Sequence, residues 1–259
     1  SMKEDIGDIF EYVNKRIKYE RMENDYEKRK AEEDVFDRKT IMVIYDLFSH
    51  GYMDIIDFPI KIGKEANIFR VKKGRRYYAL KIYRTSTLNF NSIIKYIDGD
   101  YRFEHIKRTK SGIISVWAQK EFRNLSDCYR AGVNVPKPIT FKENTILMQY
   151  LGTKNYSAPI LKDTIMEDPM ELFQDIKLNI TKMVNDANLV HGDLSEYNIV
   201  YFKERPFIID VSQALPLKHP NAKELLERDA RNMVRFFNRH GLKIKEKDML
   251  DEIDWRLFG

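Results

Sequence analysis

Three side chains in the second half of the chain are of types and spacing that suit phosphoryl chemistry: Asp193, Asn198 and Asp210. Asp193 and Asn198 lie in the run His191-Gly192-Asp193-Leu194-Ser195-Glu196-Tyr197-Asn198, and Asp210 follows the apolar pair Ile208-Ile209. One carboxylate can orient an attacking hydroxyl or water, while an amide oxygen and a second carboxylate hold Mg²⁺ against nucleotide phosphates. Singly, each residue is ordinary, since Asp and Asn are common in loops as caps and turn residues. Together they need a loop and a strand end that converge on one phosphate.

Two further groups fit the same chemistry. Lys81 sits in Ala79-Leu80-Lys81-Ile82, an apolar strand pattern, and can reach the α- and β-phosphates of ATP as a point charge. Glu121 shares a helix face with the apolar Leu125 and Cys128. An unpaired carboxylate is costly there, so a cation is expected beside it, and Lys81 is the candidate. The turn Gly63-Lys64-Glu65-Ala66-Asn67, entered from Ile62, lies between two strands where backbone N–H groups can approach phosphate. It has one glycine and is weak on its own; its position gives it weight. His191 has no ligand partners at metal spacing and is expected to brace its loop. Ser195 lacks the Gly-x-Ser-x-Gly surroundings of a hydrolase nucleophile.

The elements that must position these groups follow from periodicity. Residues 11–39 are dominated by Lys, Arg, Glu and Asp and read as a solvated helix or mobile arm, with a docking arm for a partner as the alternative. Ile41, Ile44, Tyr45 and Phe48 predict a helix from Thr40 to Gly51. Strands are predicted at 58–62, 67–72 and 77–83. Residues 85–116 show no clean period and read as a long connector. A helix is expected over 116–130 and strands over 137–141 and 145–151. Leu172, Ile176, Ile180, Met183 and Ala187 mark a helical face leading to His191, and a hairpin is expected with strands 199–202 and 207–211. Leu226, Ala230, Met233, Val234 and Phe237 share one side of a C-terminal helix that runs up to Gly241. The expected division is a charged arm (1–39), a strand-rich lobe with its preceding helix (40–151) and a helical catalytic lobe (152–259).

Composition narrows the class. The 259 residues, 43% hydrophobic and 33% charged, support a real core with a well-solvated surface. No apolar run is long enough to cross a bilayer, and no apolar segment marks a secretory signal, so no membrane partner is expected. Ser1 ahead of Met2 reads as a cloning remnant. The one cysteine, Cys128, excludes an intrachain disulfide framework and fits a reducing cytoplasm. A formal charge of +5 and a pI near 9.0 are mildly basic, which an ATP site explains in part and a polyanion such as RNA would explain further.

These segments, together with His219-Pro220, Leu226-Glu227-Arg228-Asp229-Ala230-Arg231-Asn232 and Phe236-Phe237, resemble the RIO family of atypical serine/threonine protein kinases over roughly residues 40–240. The chain looks closest to the minimal archaeal form of the Rio-one subfamily, with no winged-helix signature before it and no long tail after it. The resemblance implies an α+β, two-lobed, trimmed protein-kinase-like fold: an N-lobe antiparallel sheet plus helix, a helical C-lobe and no activation loop. It implies ATP between the lobes with Mg²⁺ or Mn²⁺ as metal. Carried across, Lys81 binds phosphate, Glu121 orients it, Asp193 is the base, and Asn198 and Asp210 hold metal. Ile62, Gly63, Lys64, Glu65 and Ala66 cover the nucleotide. Met148 is the gatekeeper, and Gln149, Tyr150 and Leu151 present backbone to adenine. Ser86, Ser92, Ser111 and Ser115 are candidates for autophosphorylation. Hydrolysis through a phosphorylated Asp210 is also implied, as is a role on the pre-small-ribosomal-subunit particle with its rRNA and ribosomal proteins. The usual His-Arg-Asp is His191-Gly192-Asp193, and the usual Asp-Phe-Gly is Asp210-Val211-Ser212. Competing readings are a small-molecule kinase of the aminoglycoside or choline type and a nucleotide-binding assembly scaffold.

Overall fold

The computed structural model describes residues 6–19, 36–85, 90–105 and 109–259. The chain divides into two compact units: residues 1–93, 106–119 and 139–150 in one, and 94–105, 120–138 and 151–259 in the other.

The first unit is built on β1 (Ile55–Ile62), β2 (Ala66–Lys73), β3 (Arg76–Tyr83), β4 (Pro138–Lys142) and β5 (Thr145–Gln149), in the order β1-β2-β3-β5-β4. The pairs β1/β2, β2/β3 and β3/β5 are antiparallel, and Lys81 stands opposite Ile68 on one side and Ile146 on the other. Alternation puts Phe69, Val71, Leu80, Ile82 and Leu147 into one core. Two helices complete it: α1 (Ile6–Asn14) through Ile9 and Val13, and α2 (Arg38–Ser49) through Ile41, Ile44, Leu47 and Phe48. Asp37 caps α2 by accepting from the Thr40 N–H at 2.8 Å.

The start of the charged arm is a helix, one of the forms expected, but not a solvated one. It packs: Ile9 and Val13, one turn apart, are buried, and Ile17 bridges Ile56. Residues 20–35 lie outside the described residues. The expected connector also differs. It carries α3 (Phe90–Ile97), whose Ile93 and Ile97 are buried one turn apart, and a short 3₁₀ turn at Tyr101–Phe103. The next helix, α4, runs Lys110–Arg130, six residues earlier than its apolar spacing indicated, because Ile113, Ile114 and Trp117 are also buried. Of the candidate serines, Ser92 falls in α3 and Ser111 and Ser115 in α4, while Ser86 lies outside the described residues.

The second unit packs α5 (Pro169–Asn185) and α6 (Ala222–Arg239) through buried apolar faces, with Phe173 edge-on to Phe237 at 5.6 Å. Short pairs join β6 (Leu189–Val190) to β9 (Leu215–Pro216) and β7 (Ile199–Phe202) to β8 (Arg205–Ile208). The β7–β8 turn is Lys203-Glu204, both left-handed at φ 51° and 61°. That tighter turn draws Pro206 into β8, so the strand ends at Ile208 and Asp210 lies beyond it, whereas the sequence pattern put Asp210 inside the strand. A five-residue helix α7 (Glu246–Leu250) follows α6. Cys128 is buried, and burial, with Asp127 beside it, pushes its thiol up to about 12.

Candidate active site

In the first unit, the Gly63–Ala66 turn is braced on several sides. The Gly63 N–H reaches Asn67 Oδ1 and the Ala66 carbonyl, each at 3.2 Å; Arg84 Nη1 donates to the Gly63 carbonyl at 3.0 Å; and the Arg84 N–H donates to the Glu65 carbonyl at 2.8 Å. A Cβ on Gly63 would stand 2.9 Å from the Ala66 carbonyl oxygen, so a side chain there would force the turn to shift. Lys64 and Glu65 are exposed, and Ile62 closes β1. Lys81 is only 4% exposed on β3, with its ammonium 5.0 Å from the Tyr83 ring centroid.

Met148 is buried near the end of β5, and Gln149 ends it. Tyr150 is fixed by an aromatic cluster: its ring meets Tyr77 at 5.9 Å, and the Arg70 guanidinium lies 4.3 Å from the Tyr77 centroid and 5.5 Å from that of Tyr150. Asp57 holds Arg70 through a 2.7 Å hydrogen bond. Leu151 belongs to the second unit, as does Glu121, which lies on α4 and is 1% exposed.

The second unit gathers Asp193, Asn198 and Asp210 through their loops. The Asp193 N–H donates to His191 Nδ1 at 3.1 Å, which leaves Nε2 to carry the imidazole proton and donate it to the Asp210 carbonyl. One ring thus ties the two aspartates' backbones together, which is the bracing expected of His191. Asn198 Nδ2 donates to the Asp193 carbonyl at 2.6 Å, and its Oδ1 accepts from the Ser195 N–H at 2.9 Å. Asp210 Oδ1 accepts from both the N–H (3.2 Å) and the hydroxyl (2.8 Å) of Ser212.

Helix α6 supplies support that the spacing argument did not assign. Buried Asp229 accepts from the Gly192 N–H at 2.7 Å and the Leu194 N–H at 3.0 Å, and neighbouring Arg228 donates to the Gly192 carbonyl. Gly192 is left-handed at φ +85°, and a Cβ there would meet the Gln213 carbonyl at 3.3 Å. The glycine in His-Gly-Asp is thus a backbone requirement. Burial raises the carboxyl pKa of Asp229, opposed by His191, the two N–H donors and Arg228. Partial desolvation also raises that of Asp193; neighbouring Asp210 adds to the rise, while His191 and Arg228 oppose it.

Among the described residues no cluster of three His, Cys, Asp or Glu side chains suits a metal. One carboxylate and one amide oxygen do fit a hard cation that completes its shell with phosphate and water, which is how Mg²⁺ is commonly held. Asn198 keeps a second lone pair on Oδ1 for such a role.

A family model described as the RIO domain matches residues 67–250. The chain belongs to the RIO kinase family. It is 39% identical over 218 residues to the RIO-type serine/threonine-protein kinase Rio1 of Haloferax volcanii, covering 84% of this chain and 75% of that protein. It is 41% identical over 176 residues to the Rio1 of Thermoplasma acidophilum, covering 68% and 92% respectively. Its fold resembles the crystal structure of the Rio2 kinase-ADP/Mg²⁺-phosphoaspartate complex from Chaetomium thermophilum, with TM-score 0.63, 24% identity, and coverage of 82% of this chain and 66% of that one. The RIO family is thus a kinase family with an α+β fold, and membership makes this chain a phosphotransferase. In this RIO-family chain the residues after Asp210 pass through β9 directly into α6. Asp229 was visible in the sequence only as part of a family segment, because a buried helical Asp has no periodic signature beyond its own position.

Proposed function

We propose that this chain binds ATP with Mg²⁺ or Mn²⁺ and transfers the γ-phosphoryl group, either to a serine hydroxyl or to water. The observation that carries the reading is the His191 ring joining the Asp193 and Asp210 segments, with Asn198 fastened to the first. In the kinase reaction Asp193 takes the hydroxyl proton as the oxygen attacks the γ-phosphorus. The bond from phosphorus to the β,γ-bridging oxygen breaks, and ADP leaves. Asn198 and Asp210 are the proposed metal ligands, and the ion supplies charge neutralisation for the phosphates. Lys81 and the Gly63–Ala66 turn are assigned to phosphate, Glu121 to orienting Lys81, and Met148–Leu151 to adenine.

In the hydrolytic branch a carboxylate oxygen of Asp210 attacks the γ-phosphorus and releases ADP, leaving an acyl phosphate. Water then restores the carboxylate and yields inorganic phosphate. The phosphoaspartate named for the Chaetomium thermophilum Rio2 complex supports this branch. Autophosphorylation at Ser92, Ser111 or Ser115 belongs to the other. Maturation of the small ribosomal subunit in the cytoplasm is the proposed setting, supported by the RIO resemblance and the +5 formal charge.

The test is incubation with Mg²⁺ and γ-labelled ATP, following released phosphate and label on the chain, for wild type and Asp193→Ala. Turnover lost in the variant supports the assignment. Acid-stable label on serine marks the kinase branch, and a labile acyl phosphate marks hydrolysis. Nucleotide binding without turnover in wild type would sink the reading in favour of a scaffold.

A further inference from the structure

Helix α4 carries two buried polar side chains to which phosphotransfer assigns no task. Lys120 and Asn124 are each 0% exposed and lie one turn apart on the same helix face. Lys120 Nζ donates to the Ser212 carbonyl at 2.6 Å and the Ala214 carbonyl at 2.7 Å. Asn124 Nδ2 donates to the Val211 carbonyl at 2.9 Å and shares that of Ala214 at 3.1 Å. All three carbonyls belong to the turn directly after Asp210, which the Ala214 N–H closes on the Val211 carbonyl at 3.1 Å.

The support continues behind Asn124. Its Oδ1 accepts from Arg102 Nη1 at 2.8 Å, and Arg102 is held by the buried Asp100 through Nε at 2.9 Å and Nη2 at 2.7 Å. A fully buried ammonium is expensive, and burial pushes that of Lys120 down to about 7, with Arg102 lowering it further and Asp100, Glu121 and Asp210 opposing. Filling the same volume with an apolar side chain would avoid that cost. What a methionine could not do is satisfy two inward-turned carbonyls and hold them at one spacing.

We infer that Lys120 and Asn124 are positioning residues of the phosphotransfer centre, clamping the Val211–Ala214 turn so that the Asp210 carboxylate keeps its direction. The inference rests on the proposed role of Asp210, but the clamp itself can be read without any activity. Ser212 matters to the argument because its N–H and hydroxyl both bond Asp210 Oδ1. A turn that loosens at Ser212 lets that carboxylate swing.

Lys120→Met keeps volume and removes the donors; Asn124→Ala is the second variant should the first fail to fold. Two measurements are made on the folded protein: amide hydrogen exchange at Ser212 and Ala214, and kcat and KM for ATP. Exchange at these two amides is expected to rise about tenfold or more while Gly192 and Leu194 stay protected. With it, kcat should fall about tenfold or more with KM for ATP within about twofold, as a misaimed reacting group would give. Unchanged exchange overturns the clamp. Faster exchange with unchanged kcat per folded molecule overturns the positioning role and leaves a structural one. A wild type that turns over no ATP sinks the proposed function instead, and the exchange result then decides the clamp alone.

Discussion

In the sheet unit, Lys81 is placed by regular backbone: strand neighbours at Ile68 and Ile146 fix its register, and alternation fixes its direction. In the helical unit, Asp193 and Asp210 stand on backbone outside helix and strand, and side chains do the fixing: His191, Asn198, Ser212, Asp229 and Arg228. A ladder places a residue through many equivalent bonds and tolerates the loss of one. A side-chain network spends single, buried, well-aimed contacts on each group, so each loss is felt in full. Substitutions in the sheet unit that leave the Lys81 ammonium in place should therefore move nucleotide affinity or stability modestly, and those in the helical unit should strike turnover.

The largest expected effect is at the reacting groups. Asp193→Ala and Asp210→Ala should each lower phosphate release by about 10³-fold or more with little change in melting temperature. A variant keeping more than about a tenth of wild-type kcat would break the contrast at its centre. Next comes Asp229→Asn. An amide offers one acceptor where two N–H groups now bond a carboxylate, so one buried N–H loses its partner, at a cost of about 1–3 kcal/mol by urea unfolding. Turnover should fall about tenfold or more, because the Gly192–Leu194 backbone is freed. A fall in stability with unchanged kcat would show that loop to be less dependent on α6 than its geometry implies.

The pH profile is gentler. Asp193 must be ionised to accept a proton, and its pKa is raised by burial and by Asp210. Since the raised group holds its proton to higher pH, activity is lost as pH falls through a value above the ordinary carboxylate range near ~4. An acid limb at or below that range, measured as kcat against pH, would contradict the desolvated site. On the sheet side, Gly63→Ala should raise KM for ATP about fivefold, roughly 1 kcal/mol, with kcat nearly unchanged, because the new methyl crowds the Ala66 carbonyl. Smallest is Arg70→Met, which removes the cation between Tyr77 and Tyr150 and should lower Tm by about 2–4 °C. Should either sheet variant abolish turnover, the distinction between ladder and network would fail.

The same distinction explains what the sequence disclosed. The strands around Lys81 were legible because alternation over 58–83 is a property of many residues at once. Asp193, Asn198 and Asp210 were legible by type and spacing. Helix α3 was not: it is short, contains consecutive Ile93 and Ile94, which are poor helix formers, and is held by burial at Ile93 and Ile97. The start of α4 was masked by Ser111-Gly112, and the packing of α1 by the charges that follow it. Lys120 and Asn124 had no pattern at all, and Asp229 none beyond its place in a family segment, since a buried polar residue is explained only by the carbonyl or N–H it meets in space.

Cys128, buried and with its thiol pushed up to about 12, has a practical consequence for spectroscopy. A maleimide reagent at neutral pH meets almost no thiolate and no access, so the native chain is silent to it. A single cysteine introduced on an exposed position then becomes the sole attachment point for a dye or spin label, with the wild-type sequence otherwise untouched.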